Sequence, residues 1–182
     1  MLSNVSIQKY LASGDIVIDP WNEGMMDAAR VALHLGDRIL LPEGDVVVDP
    51  KRGVLPQYRE VVMTDAAPFR LEPNMFVLGR TFEKIGLSER IGSLLDGRST
   101  LARLGLSIEQ SAIIIDTGQQ AKEMTLEIKN SGPHAILLYP RMKFCRACFF
   151  LLEPAASMRH DAEGKYLPGD AHKPIFKKEI AE

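Results

Sequence analysis

Apolar and polar residues exchange over short runs along most of the chain, and that rhythm sets the expected architecture. Ser6 to Ser13 is the exception: Ile7, Tyr10 and Leu11 are spaced for one helix face, and Gly14 follows as a stop. Asp15 to Pro20 then reads as a short strand, with Ile16 and Ile18 set against Val17 and Asp19. Trp21 to Ala29 is Met-rich and contains glycine, which predicts a loop. Val31 to Leu41 predicts strand around a Gly36-Asp37 turn, and Val46 to Val48 a further strand. Pro50 to Arg59 reads as a polar loop. Val61 to Met63, Phe69 to Leu71, Asn74 to Thr81 and Ile91 to Leu95 each read as strand.

The second half continues the pattern. Thr100 to Leu106 predicts a helical turn. Ser111 to Asp116 and Glu123 to Lys129 predict two strands joined by Thr117 to Lys122, with Gly118 supporting a turn. Asn130-Ser131-Gly132-Pro133 ends the second, and Ala135 to Tyr139 starts the next. Met142 to Leu152 is a continuous apolar and aromatic run expected to be a buried strand. Beyond Pro154 the composition turns polar, so Ala155 to Glu182 is expected as an exposed tail. Short, closely spaced strands with Gly, Pro, Asp and Asn turns predict an all-β barrel or jelly-roll-like fold behind one short helix. With no repeat and no linker, residues 1–182 are expected to form one domain.

Composition narrows the function. A chain of 182 residues can bury a sizeable core, and 46% hydrophobic with 25% charged residues reads as a soluble globular protein. A net charge of -2 gives no basic face for polymeric nucleic acid, although a nucleotide needs only a local pocket. No apolar run approaches the roughly 20 residues of a membrane span, and Met1 to Tyr10 lacks a secretion-signal pattern, so a cytoplasmic protein is expected. Cys145 and Cys148 have Cys-x-x-Cys spacing, but residues three apart on a strand face opposite ways. They are therefore expected as core cysteines rather than a redox or metal pair.

Two stretches carry candidate chemistry. Asp96 to Gly105 reads Asp-Gly-Arg-Ser-Thr-Leu-Ala-Arg-Leu-Gly, with two arginines flanking a Ser-Thr pair. Planar guanidinium forks, hydroxyls and turn amides together suit a polyphosphate, while surface ion pairing is the simpler reading. In Glu123 to Lys129, alternation puts Glu127 and Thr125 on one face and Leu126 and Ile128 on the other. A polar strand face of this kind holds either a solvent-exposed glutamate or a catalytic one.

The decapeptide resembles the phosphate-binding motif of the dCTP deaminase and dUTPase superfamily, and in particular its deaminase branch, departing only at Thr100. Thr125-Leu126-Glu127-Ile128-Lys129-Asn130 likewise resembles the branch's segment with the catalytic glutamate, and the resemblance runs from about Leu2 to Glu153. It implies a distorted jelly-roll-like barrel of the dUTPase-like type, and hydrolytic deamination of dCTP to dUTP and ammonia. It implies Glu127 as general base and then acid, with Ser99 and Arg103 helping to set the catalytic site. Arg98 and Thr100 fall in the phosphate motif. Ser111 and Ala112 match a pair whose backbone meets the cytosine amino group and the attacking water. Asp116 matches an aspartate beside the deoxyribose, although it also suits a turn before Thr117-Gly118. Tyr166, with Lys173 nearby, fits a tail that folds over the nucleotide; a solvated tail is the alternative. A homotrimer with sites between subunits is implied too, as is magnesium carried on the triphosphate with no protein-bound metal.

Departures gather near the site. Ala32 stands where the branch has aspartate, Glu109 where it has histidine and Ile114 where it has arginine, and one residue is inserted before Glu127. These motivate a catalytically degenerate, regulatory homologue as an alternative. A dUTPase is the other, disfavoured because Gln119-Gln120-Ala121 supplies no tyrosine after Asp116. The zinc deaminases' His-x-Glu and Pro-Cys-x-x-Cys signature is absent.

Overall fold

The computed structural model describes residues 1–159. Helix α1 (Asn4–Ser13) begins where the Ser3 hydroxyl accepts the Ser6 N–H and ends at Gly14, whose φ of 78° closes the last turn. Ile7, fully buried, is its anchor to the core. Twelve strands follow among the described residues: β1 (Ile16–Asp19), β2 (Val31–His34), β3 (Arg38–Glu43), β4 (Gln57–Val62), β5 (Phe69–Leu71), β6 (Phe76–Leu87), β7 (Ile91–Gly97), β8 (Leu106–Ser107), β9 (Ile114–Ile115), β10 (Gln119–Asn130), β11 (Ile136–Leu138) and β12 (Lys143–Leu151). A short helix α2 (Ser99–Ala102) sits between β7 and β8.

The strands form a distorted jelly-roll-like barrel of antiparallel sheets. One sheet runs β4-β3-β6-β10-β8 with β1 also on β6; a second runs β2-β12-β7-β9; β5 and β11 pair separately. Both large sheets feed a single core. Leu126, Ile128, Val77 and Ile85 come from one side, and Leu33, Ile91, Phe144 and Phe149 from the other. On β12, Cys145, Ala147 and Phe149 are fully buried while Arg146 and Cys148 are half-buried, so the two cysteines face opposite ways. Both are free thiols, and burial pushes that of Cys145 far up.

Several expected boundaries move. Val46 to Val48 is not a strand: Gly44, at φ 90°, turns the chain away after β3, and the valines stay exposed, Val47 at 89%. Part of the expected polar loop, Gln57 to Arg59, belongs instead to β4. That edge strand lies on β3 through the Arg38–Glu60 and Arg59–Glu43 ion pairs, and its charged face hides the alternation. The strand expected to stop at Thr81 runs on to Leu87, because β10 pairs with it over its whole length. Residues 155–159, expected as free tail, are tied back: Ala156 N–H donates to the Glu89 carbonyl at 2.8 Å and Arg159 pairs with Glu89 at 3.1 Å.

Candidate active site

The long β6–β10 pair positions Glu127. Leu126 and Ile128 are fully buried, so strand alternation turns Thr125 and Glu127 to the opposite face, where both are half-buried. The Glu127 N–H donates to the Ile108 carbonyl at 2.9 Å, and its Oε2 accepts the Gln110 N–H at 3.0 Å. Gln110 Nε2 spans Ser107 Oγ at 3.2 Å and the Glu127 carbonyl at 3.3 Å. One carboxylate oxygen is thus oriented by a backbone donor, and the side chain faces a cavity of about 190 Å³.

Ala112, Ile114, Asp116, Lys122 and Glu123 share that cavity with Glu127. Lys122 and Glu123 were not singled out from the sequence, and the reason is local. Between the pairs Gln119–Leu87 and Lys122–Ile85, β10 carries one more residue than β6; between Glu123–Lys84 and Thr125–Arg80 the excess is on β6. These bulges break the period of two, so alternation does not assign faces there. The Thr81 hydroxyl serves the irregularity, accepting the Met124 N–H at 2.9 Å and donating to the Glu83 carbonyl at 2.6 Å.

The strand expected over Ser111 to Asp116 shrinks to Ile114–Ile115, paired with β7. Gln110 is committed to Glu127 and Ser107, which lifts the chain off the ladder, so Ser111 and Ala112 are exposed and irregular. Ala112 lines the cavity and Ser111 is not among its lining residues. Asp116 both lines the cavity and precedes a turn, closed by Thr117 Oγ1 donating to the Ser88 carbonyl at 2.8 Å and by Gly118 at φ 67°. Ile114, 62% exposed, gives the cavity an apolar wall. Glu109 lies close behind, and its buried Oε2 has no hydrogen-bond partner. Burial pushes its carboxyl above the usual range, reinforced by the negative charges of Asp96 and Glu127.

The arginine-flanked stretch lies elsewhere on the chain. Ser99, Thr100 and Arg103 are exposed, Arg98 is half-buried, and none of them lines the Glu127 cavity. Among the described residues no ion pair involves Arg98 or Arg103. Arg103 N–H donates to the Ser99 carbonyl at 3.1 Å, and Gly105 at φ 89° ends the turn. Glycine is required there: a Cβ would sit 2.3 Å from the Gly132 nitrogen. Gly97, at the other end, has only Ile108 at 3.8 Å and no such demand. Tyr166 and Lys173 lie outside the described residues. Among those described, no group of three or more His, Cys, Asp or Glu is placed to hold a metal ion, and no helix is long and apolar enough to cross a membrane.

Fold and site define a class: mainly β proteins that set a half-buried carboxylate and an aspartate around one small cavity, with an exposed, arginine-flanked hydroxyl pair apart from it. The chain belongs to the dCTP deaminase-like family, whose sequence model matches residues 1–152. A "dCTP deaminase, dUMP-forming" of Dictyoglomus thermophilum is 34% identical over 161 residues, covering 86% of this chain and 82% of the relative. A "dCTP deaminase" of Rhodospirillum rubrum is 36% identical over 171 residues, covering 88% and 87%. The crystal structure of 2'-deoxycytidine 5'-triphosphate deaminase from Agrobacterium tumefaciens matches with a TM-score of 0.65 at 16% identity, which shows the shared fold. The match covers 83% of this chain and 47% of that one, so this chain spans about half its length.

Proposed function

We propose that the protein hydrolyses the C4 amino group of dCTP, releasing ammonia. The observation that carries this reading is Glu127, oriented by the Gln110 N–H at the wall of a cavity shared with Asp116 and Ala112. In the proposed step Glu127 takes a proton from water, and the hydroxide adds to C4 of cytosine. Glu127 gives that proton to N3, takes a second from the C4 hydroxyl of the tetrahedral adduct and passes it to the departing amine, so that C4 becomes a carbonyl, water is consumed and ammonia leaves. Asp116 accepts the deoxyribose 3'-hydroxyl, and the backbone at Ser111 and Ala112 meets the amino group and the water. The triphosphate arrives carrying magnesium and is held by Arg98, Ser99, Thr100 and Arg103 of a neighbouring copy in a homotrimer. That none of the four lines the cavity within one chain supports that arrangement.

The product is dUTP if the reaction stops at deamination. A second reading, dUMP and pyrophosphate, is favoured by the "dUMP-forming" names of several relatives and by Asp116 lining the same cavity as Glu127. One incubation with dCTP separates them. Ammonia without pyrophosphate means dUTP, and equal amounts of both mean dUMP. Neither product would favour the degenerate reading suggested by Ala32, Glu109 and Ile114.

Two further outcomes are expected. Arg103→Ala removes a charged phosphate donor and should weaken dCTP binding by about 1.5–3 kcal/mol, roughly ten- to 150-fold, as read by calorimetry. An unchanged dissociation constant would leave Arg103 with no part in the site. The tail is proposed to close over the nucleotide through Tyr166 and Lys173. Truncation after Arg159, which keeps the Glu89 tether, should therefore raise KM with a smaller change in kcat. Full activity at low dCTP in the truncated protein would remove the tail from the mechanism.

A further inference from the structure

A second cavity, about 490 Å³, opens where β2, β6 and β12 meet the 3-10 turn at Glu23–Met25. Its wall includes Trp21, His34, Phe82, Glu83, Arg141 and Lys143, none of which lines the Glu127 cavity. Arg141 is the unusual residue here. It lies at φ 60°, a backbone conformation that disfavours any residue with a Cβ, held by its N–H donating to the Leu35 carbonyl at 2.8 Å. Glycine would occupy that turn without strain. The arginine that occupies it instead places its guanidinium 4.2 Å from the centre of the Phe82 ring, at the cavity mouth.

The cavity's own wall holds two cations, Arg141 and Lys143, against one carboxylate, Glu83. Glu83, 1% exposed, accepts from the His34 N–H at 2.9 Å and is 2.6 Å from His34 Nδ1, so its two oxygens are engaged inside the wall. An adjoining cavity shares Phe82 and Arg141 and brings Asp19, Asp37 and Glu123 nearby. Arg80 pairs with Glu123 at 2.8 Å and with Asp37 at 3.3 Å, and Lys84 stands opposite Asp19 in the β1–β6 register. Among the described residues, Arg141 and Lys143 have no acidic partner within ion-pair distance. Two cations beside a half-buried indole suit an aromatic anion. The volume, about 490 Å³ against 190 Å³ at Glu127, leaves room for a two-ring base.

We propose that this cavity is a second nucleotide site that takes a purine nucleoside phosphate, the base against Trp21 and the phosphates between Arg141 and Lys143. Trp21 is the only tryptophan in the 182 residues, so its emission reports this cavity. The full chain is titrated with dATP, deoxyadenosine and inorganic tripolyphosphate. A saturable emission change is expected with dATP, with midpoints at least about tenfold higher for the other two. Arg141→Gly relieves the turn, so its melting temperature should be no lower than wild type while the dATP midpoint rises at least about tenfold. Lys143→Ala, at an exposed strand end, should shift it in the same direction. Arg103→Ala, which should weaken nucleotide binding at the Glu127 site and lies off this cavity's wall, should leave the titration unchanged. No change up to millimolar dATP, or equal affinity for tripolyphosphate, would overturn the proposal. So would unchanged midpoints in both cavity variants, or a raised midpoint in Arg103→Ala, which would move the nucleotide to the Glu127 site.

Discussion

Glu127→Gln is expected to bind dCTP as the wild type does and to deaminate it at least about a hundredfold more slowly. The amide keeps the size of the side chain and one oxygen for the Gln110 N–H, so the local structure around β10 and residues 107–110 should stand. It cannot take a proton from water, and in the proposed mechanism that transfer and its return to N3 and the amine both pass through this carboxyl. The effect should therefore fall on kcat, with little change in the dissociation constant. The measurement is ammonia release under single-turnover conditions, beside dCTP binding by calorimetry. Wild-type turnover in the variant would remove Glu127 from the chemistry. Lost binding would instead make it a binding residue. Glu109 sharpens the test: it lies near Glu127 with a buried, unpartnered oxygen, and is the nearest substitute if proton transfer survives.

Much of the frame was legible because single residues dictate it. Ile7, Tyr10 and Leu11 before Gly14 mark a helix and its left-handed end, and both are found. The face of Glu127 follows from its neighbours Leu126 and Ile128, since a regular strand with two buried flanks has one direction left. What stayed hidden depends on partners distant in sequence. Residues 57–59 look like loop because their strand is an edge whose stability comes from β3 and from ion pairs. Lys122 and Glu123 reach the cavity through bulges defined by the register against β6, which no one-strand pattern contains. Ser111 to Ile113 has strand composition, yet Gln110 spends its groups on Glu127 and Ser107 and takes the segment off the ladder. That residues 98–103 lie off the wall of the Glu127 cavity was not legible either, because spacing along a chain does not give the packing between distant segments.

Co-expressing two variants that are each impaired at low dCTP should restore activity. In the proposed trimer each site takes Glu127 from one copy and Arg98 to Arg103 from the next. Homotrimers of Glu127→Gln then lack the carboxyl in every site, and homotrimers of Arg103→Ala lack the phosphate donor in every site. Co-expression lets copies assort, and some contacts pair the intact Glu127 of one variant with the intact Arg103 of the other. With equal, random assortment both partners are whole in about a quarter of sites. Ammonia release at low dCTP, where weak binding by Arg103→Ala is not masked by saturation, should approach about that fraction of wild-type activity. The proteins purified separately and mixed without exchange should show only the sum of their residual rates. A site built within one chain behaves differently, because each copy then carries its own defect whatever its neighbours are. Co-expressed protein no more active than that sum would therefore place all the site residues in one chain. Because α2 lies outside the Glu127 cavity in the folded chain, that result would also require α2 to move toward β10 when dCTP binds.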